Sequence, residues 1–211
     1  MDNFSPNTSF SVFPPVVKNL LIINGLIFFA TVSIFAGGLT PLGEMVFPYM
    51  ALFPIGSGYF FPWQLVTYMF LHANFGHIIM NLFALWIFGQ SIENLWGSKR
   101  FFAYYFLTGI GAALIHMWIG GTGAPTIGAS GAVFGILLAF GMMFPDRYIM
   151  LLIPPIPIKS KYFVMIYGAI ELVSGIGNPT GGVAHFAHLG GIIVGFILIK
   201  VWGLKKPQQY A

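Results

Sequence analysis

Apolar runs of membrane-crossing length recur along this chain, and Gly- or Pro-rich breaks separate them. The first covers residues 20–36, uncharged and preceded by Lys18, with Pro14 and Pro15 closing the polar stretch before it. The second runs from about Asn74 to Leu95 and stops at Gly97 and Ser98. Lys99 and Arg100 follow, and a third run extends to about Ile119. Beyond the break at residues 120–125, a fourth starts near Ala129 and ends at Pro145. A Pro-rich linker, residues 153–161, leads to a fifth over about Tyr162 to Ile176, and Val183 to Leu204 makes the sixth. A helical crossing takes about 20 apolar residues, so six use roughly 120. The pattern predicts an all-α polytopic membrane protein with six transmembrane helices.

Residues 37–70 read differently. Gly37, Gly38, Pro41, Gly43, Pro48, Pro54, Gly56, Gly58 and Pro62 stand there among Phe47, Tyr49, Phe60, Phe61 and Trp63. Gly and Pro at that density break long helices, and aromatics favour the membrane interface. A large interfacial loop is expected between spans 1 and 2. Span 4 is short, about 16 residues or about 24 Å, against a hydrocarbon core of roughly 30 Å. Irregular backbone at membrane depth must be lined by protein or water, so the Gly-rich start of span 4 is where a site is expected.

Composition narrows the class. Of 211 residues, 57% are hydrophobic and 7% charged, against about 25% charged in a soluble domain. That excludes a soluble globule, and the hydrophobicity excludes disorder. Nine basic residues in such a chain make no nucleic-acid face. The absence of cysteine excludes a disulfide scaffold, a thiolate zinc site and a cysteine nucleophile. The N-terminus shows no basic–apolar–cleavage pattern, so no cleaved signal peptide is expected. Lys18, Lys99, Arg100, Arg147, Lys159, Lys161, Lys200, Lys205 and Lys206 all fall on one side of a six-span layout. The positive-inside rule then places both termini in the cytoplasm. Residues 1–15 and 205–211 become short cytoplasmic tails around one transmembrane domain, residues 16–204.

Ionisable groups inside spans default to functional hypotheses. Ser130 lies between Gly128 and Gly131 at the first turn of span 4, where an unpaired backbone N–H and the helix dipole suit a nucleophile beside an oxyanion site. A simple N-cap Ser is the alternative. His188, Gly191 and Gly195 recur on one face of span 6, and Gly131 and Gly135 offer a small-residue face on span 4. Close packing of these faces would pair Ser130 with His188; a core His on a packing face is the alternative. His185 either lines a water path or is interfacial. His77 and Asn81 stand at i, i+4 on span 2, with His72 just before. Two neutral donors facing the Ser hydroxyl make a candidate oxyanion hole. A metal site built with His185 and His188 is the rival, against which no HExxH pattern is present and no carboxylate accompanies the His pairs. Glu171, in span 5, is read as too deep and too far from the outer half to join them. His116 has no nameable partner, and a packing role is expected.

Three motifs together carry a family resemblance: His72-Ala-Asn-Phe-Gly-His77-Ile-Ile-Met-Asn81, Gly128-Ala-Ser130-Gly131, and Ala187-His188-Leu-Gly-Gly191-Ile-Ile-Val-Gly195. In this order and on these spans the chain resembles the rhomboid intramembrane serine proteases, over nearly all of residues 15–204. The resemblance implies a six-helix rhomboid-like bundle with Ser130 as nucleophile and His188 as base. It implies an oxyanion hole from His77, Asn81 and the Ser130 backbone N–H. It also implies that Phe134 packs on the catalytic His and that Glu93 stabilises the inner end of the bundle. Gln64 stands where many members have Arg after Trp, which touches only the anchoring of the loop.

The expected activity is hydrolysis of peptide bonds in or near transmembrane helices of membrane proteins by a Ser130–His188 dyad. Water is expected to enter past His72, His77 and His185. The expected partners are such substrates and the lipid bilayer, with no nucleic acid, metal or cofactor. A minimal prokaryotic enzyme of the inner membrane is expected. A catalytically inactive rhomboid-like binder of membrane proteins is the alternative reading, and a small transporter built on a broken helix is a weaker one, since the outer half offers no charged group to pair with its cargo.

Overall fold

The apolar runs are helical in the computed structural model, which describes residues 10–33, 37–119, 124–151, 155–177 and 184–207. The chain forms α1 (Pro15–Thr31), α2 (Pro41–Met50), α3 (Gln64–Thr67), α4 (Phe75–Trp96), α5 (Ser98–Ile119), α6 (Ser130–Met143), α7 (Ser160–Gly177) and α8 (His185–Val201). A 3-10 turn, Tyr68–Phe70, follows α3, and an antiparallel hairpin of β1 (Tyr148–Met150) and β2 (Pro157–Lys159) precedes α7. The far ends of both tails and residues 34–36, 120–123, 153–154 and 178–183 of the predicted layout lie outside the described residues.

Local chemistry sets the helix ends. α1 starts five residues before the predicted run because Pro15 occupies its first position, where the missing N–H costs nothing. It stops at Thr31 because the chain doubles back there: Val32 bridges Leu39, and Thr40 N–H donates to Thr31 O at 3.0 Å. Asn74 caps α4 by accepting the His77 N–H at 2.9 Å. Gly97 ends it at φ +79°, a conformation that glycine adopts without strain.

Two segments differ from expectation. The segment expected as an interfacial loop carries helix α2, because Pro41 and Gly43 start a helix rather than break one: Thr40 Oγ1 accepts the Gly43 N–H at 3.0 Å. The loop is also firmly held without the missing Arg. Gln64 is fully buried. Its amide oxygen accepts from Phe53 and Phe61 N–H, and its amide nitrogen donates to Pro48 and Tyr59 carbonyls, all at 3.0–3.2 Å. Trp63 Nε1 donates to Tyr49 O. The Pro-rich linker, secondly, is partly β2, paired in register with β1 (Tyr148 opposite Lys159).

α6 is the central helix. Ten of its fourteen residues are buried, as expected for a helix apolar all round, and it packs against α4, α5, α7 and α8. Small residues make the crossings close. A Cβ on Gly191 would overlap the Gly131 carbonyl oxygen and lie 2.8 Å from its carbon. A Cβ on Gly195 would overlap the Tyr104 hydroxyl and lie 3.4 Å from Gly135 Cα. At the opposite end of the bundle, Glu93 accepts the N–H groups of Val16 and Val17 and the Ser98 hydroxyl at 2.6–2.9 Å. One carboxylate thus caps α1 and ties it to the α4–α5 corner.

The outward helix faces are apolar. Leu26, Phe29, Met80, Met165, Val173, Ile197 and Val201 are each more than half exposed. Water-facing surfaces rarely carry contiguous apolar area on this scale, so these faces suit lipid. α4 and α5 are long and apolar enough to cross a membrane; α1, α6 and α8 are shorter apolar helices.

Candidate active site

Ser130 is the first residue of α6, and Ala129 holds the cap position with no side-chain capping bond. The N-cap reading of Ser130 is therefore overturned. Its Oγ lies 2.7 Å from His188 Nε2 instead. Gly128 positions the turn: its φ is +120°, and a Cβ there would come within 2.8 Å of His77 Nε2. The Gly128 N–H donates to Tyr68 O at 2.9 Å, and Leu52 bridges Thr126 just before. These ties fix the strand-like approach to α6.

His188 is buried near the start of α8. Phe134, one turn along α6 from Ser130, stacks on its imidazole with ring centroids 4.4 Å apart and planes 13° apart. The ring is thereby fixed in plane as well as in position. Gly191 sits one turn further along α8, against Gly131, and this close crossing lets Ser130 and His188 meet.

His77 and Asn81 face the same space from α4, and with Ser130 and His188 they line one cavity of about 1490 Å³. His77 Nδ1 accepts the Ala73 N–H at 3.2 Å. The ring proton therefore sits on Nε2, the nitrogen beside Gly128. Asn81 is buried and donates one amide hydrogen to His77 O at 2.8 Å, leaving the second for another acceptor. His72 does not line the cavity. It is buried behind His77, ring edge to ring face, with centroids 5.0 Å apart. Burial and the neighbouring His77 push its imidazole down to about 3, so it stays neutral. A place on the water path is corrected to a packing place behind His77.

Two expectations about charge are also corrected. Glu171 is neither too deep nor too far. Its Oε2 lies 2.6 Å from His185 Nδ1 and 2.9 Å from His188 Nδ1. The His185 contact is an aligned hydrogen bond, whereas His188 Nδ1 makes no aligned one, so the carboxylate touches it off the line of the ring N–H. A carboxylate therefore does accompany the His pair, and the ligand atoms of Glu171, His185 and His188 lie within 4.8 Å of one another. The separations of 2.6 and 2.9 Å are those of hydrogen bonds. Nitrogen and oxygen ligands about 2.0–2.1 Å from a tetrahedral zinc stand about 3.3 Å apart. The arrangement fits proton sharing better than an ion. The residue count could have found Glu171: it stands six residues before the end of α7, and His188 three residues after the start of the neighbouring α8. His116, finally, has a partner, since its Nε2 lies 2.9 Å from Thr126 Oγ1.

The cavity lies between α4, which contributes Met80, Ala84 and Phe88, and α7, which contributes Phe163, Tyr167 and Glu171. Phe88 and Phe163 meet with ring centroids 6.4 Å apart. Sites for small molecules hold about 300–1,000 Å³, so this one has room for a stretch of polypeptide.

The Rhomboid domain family matches residues 61–204. Rhomboid-like protein 11, chloroplastic, of Arabidopsis thaliana is 36% identical over 151 residues, 68% of this chain and 53% of that protein. Rhomboid protein 1, mitochondrial, of Saccharomyces cerevisiae is 32% identical over 145 residues, 66% of this chain and 41% of that protein. Rhomboid protease GluP of Bacillus subtilis is 31% identical over 153 residues, 70% of this chain and 27% of that protein. The chain thus spans about half or less of the length of these relatives.

Proposed function

Since this chain belongs to the rhomboid family, a family of integral membrane proteins, we propose that it is an intramembrane serine endopeptidase with Ser130 as nucleophile and His188 as base. The observation that carries this reading is the 2.7 Å contact between Ser130 Oγ and His188 Nε2 beneath the stacked Phe134 ring. His188 takes the Ser130 proton as Oγ attacks a substrate carbonyl. The oxyanion forms against His77 Nε2–H, the free Asn81 amide hydrogen and the Ser130 backbone N–H, donors already in place before charge develops. His188 then protonates the leaving amine, and water hydrolyses the acyl-enzyme through the same two residues.

The substrates are transmembrane segments of other membrane proteins, reaching the cavity between α4 and α7. A helical backbone is hydrogen-bonded to itself, so the cleaved stretch must unwind. Gly, Pro and small residues near one end of a substrate helix ease that step. In the bilayer α1, α4, α5, α6, α7 and α8 serve as six spans, with the region of α2 and α3 at the interface. Both termini face the side that carries the basic residues. The chemistry calls on no metal, nucleotide or cofactor.

The test is cleavage of a reporter transmembrane segment in liposomes. Wild type should cleave and should be labelled by a fluorophosphonate at Ser130 alone. Ser130→Ala and His188→Ala should each be inactive yet folded, and the double mutant no worse than either. Cleavage by pure Ser130→Ala protein would remove the serine mechanism.

A further inference from the structure

We propose that Glu171 is a positioning residue for the Ser130–His188 pair, holding His188 in its Nδ1–H tautomer and balancing the imidazolium formed on proton transfer, with His185 anchoring the carboxylate. This rests on the reading of Ser130 and His188 as nucleophile and base.

The reasoning starts from one buried oxygen. Glu171 is 7% exposed, and an isolated carboxylate in such a place is costly. It is stabilised by the two imidazole nitrogens beside Oε2, His185 Nδ1 at 2.6 Å and His188 Nδ1 at 2.9 Å. A carboxylate only accepts hydrogen bonds. Were His188 in its other tautomer, the Nδ1 lone pair would face this oxygen at 2.9 Å, which is repulsive. With the proton on Nδ1, Nε2 is bare, and Nε2 is the nitrogen 2.7 Å from the Ser130 hydroxyl. The carboxylate thus selects the tautomer that can accept the serine proton. When Oγ bonds to the substrate carbon, its proton moves to Nε2 and the ring becomes a cation beside an anion. The proton later leaves from Nε2 to the departing amine. Glu171 neither gains nor loses a proton.

The off-line approach of His188 Nδ1 to Oε2 suits a contact that tightens when substrate is bound, as catalytic hydrogen bonds often do. His185 supplies the aligned bond that keeps the carboxylate in place meanwhile. Glu171 lies on α7, whereas His185 and His188 lie on α8. The contact therefore also ties the cavity-lining α7 to the helix that carries the base.

The test uses the full chain in liposomes with the reporter segment, comparing wild type, Glu171→Gln, Glu171→Asp and Ser130→Ala. Glu171→Gln keeps the shape and removes the charge. Replacing the acid of a Ser-His-Asp triad with its amide costs about 10⁴ in kcat. Here the contact is shared and off line, so the expected loss is roughly 10²-fold in kcat, with KM within about twofold. Glu171→Asp should regain at least about a tenth of wild-type kcat, because it restores the charge. All variants should melt like wild type. Glu171→Gln turning over within about twofold of wild type overturns the proposal, as does a loss that Glu171→Asp does not relieve. Stimulation of wild type by a chelator, absent in Glu171→Gln, would also overturn it by making the three residues a metal site. Cleavage by Ser130→Ala would instead strike the serine mechanism itself, so the two failures are distinguishable.

Discussion

Adding one methyl at Gly191 should disable this protein without touching any reacting atom. A Cβ there would overlap the carbonyl oxygen of Gly131, which belongs to the backbone and cannot rotate away. Helices α6 and α8 must separate by about 1 Å to restore van der Waals contact. Ser130 and His188 sit on those two helices with a contact of 2.7 Å. Adding about 1 Å gives about 3.7 Å, beyond any hydrogen bond. Misplacement of that size can cost about 10²-fold in rate, and overpacking costs about 1–3 kcal/mol. Gly191→Ala should therefore lose about two orders of magnitude in cleavage and melt lower, and Gly191→Leu should be inactive. Gly168→Ala is the control, because its Cβ meets only Ile192 Cδ1, at 3.6 Å. The assays are reporter cleavage in liposomes and thermal melting of the same preparations. Gly191→Ala behaving like Gly168→Ala in both would refute the close-crossing reasoning.

Three further outcomes are expected. His77→Ala and Asn81→Ala each remove one of the proposed oxyanion donors, so turnover should fall about 10²–10³-fold yet remain measurable; turnover within about twofold in both would remove α4 from the site. Gln64→Ala leaves four backbone groups of the α2–α3 region without partners and should destabilise the fold by about 1–3 kcal/mol, with faster amide exchange at Phe53 and Phe61; unchanged exchange would contradict it. Asp146 is exposed, and the hydrogen bonds from Lys161 and Lys159 hold its carboxyl below the ordinary carboxylate range. Its folded pKa being depressed, its small contribution is present above the unfolded value and lost as pH falls through the folded one. The difference in melting temperature between wild type and Asp146→Asn should thus vanish in acid; a difference that grows towards acid would refute this.

Legibility followed the physics of each signal. The encounter of Ser130 with His188 could be read because small residues on two helices advertise a close crossing, and periodicity says which side chains ride on it. The packing of Phe134 on His188 was legible only through the family resemblance, since an apolar aromatic in a helix that is apolar all round has no periodic mark of its own. Glu171 escaped because a lone acid in a span carries no periodic signature; only its place six residues from the end of α7, set against His188 three residues from the start of α8, puts the two within about one helical turn of the same depth. α2 is hidden because Pro41 and Gly43 read as breakers, although proline at a first helical position is a start signal. Gln64 reads as the loss of an Arg charge, whereas a buried amide with two donors and one oxygen suits four backbone partners. The β1–β2 pairing spans only three residues a side, too few for an alternating pattern to emerge.

The Glu93 cap carries a consequence for biogenesis. The N–H groups that open α1, at Val16 and Val17, are accepted by a residue 76–77 positions later in the chain. At about 5–20 residues per second of synthesis, that acceptor follows its donors by about 4–15 s. Until it arrives, the first turn of α1 must stay where water can serve its orphan donors, at the membrane surface. As the first of the proposed spans, α1 can thus lodge in the bilayer early, but its end stays loose until the α4–α5 corner is made. A ribosome that stalls before residue 93 should leave a first helix whose leading turn exchanges its amide protons freely.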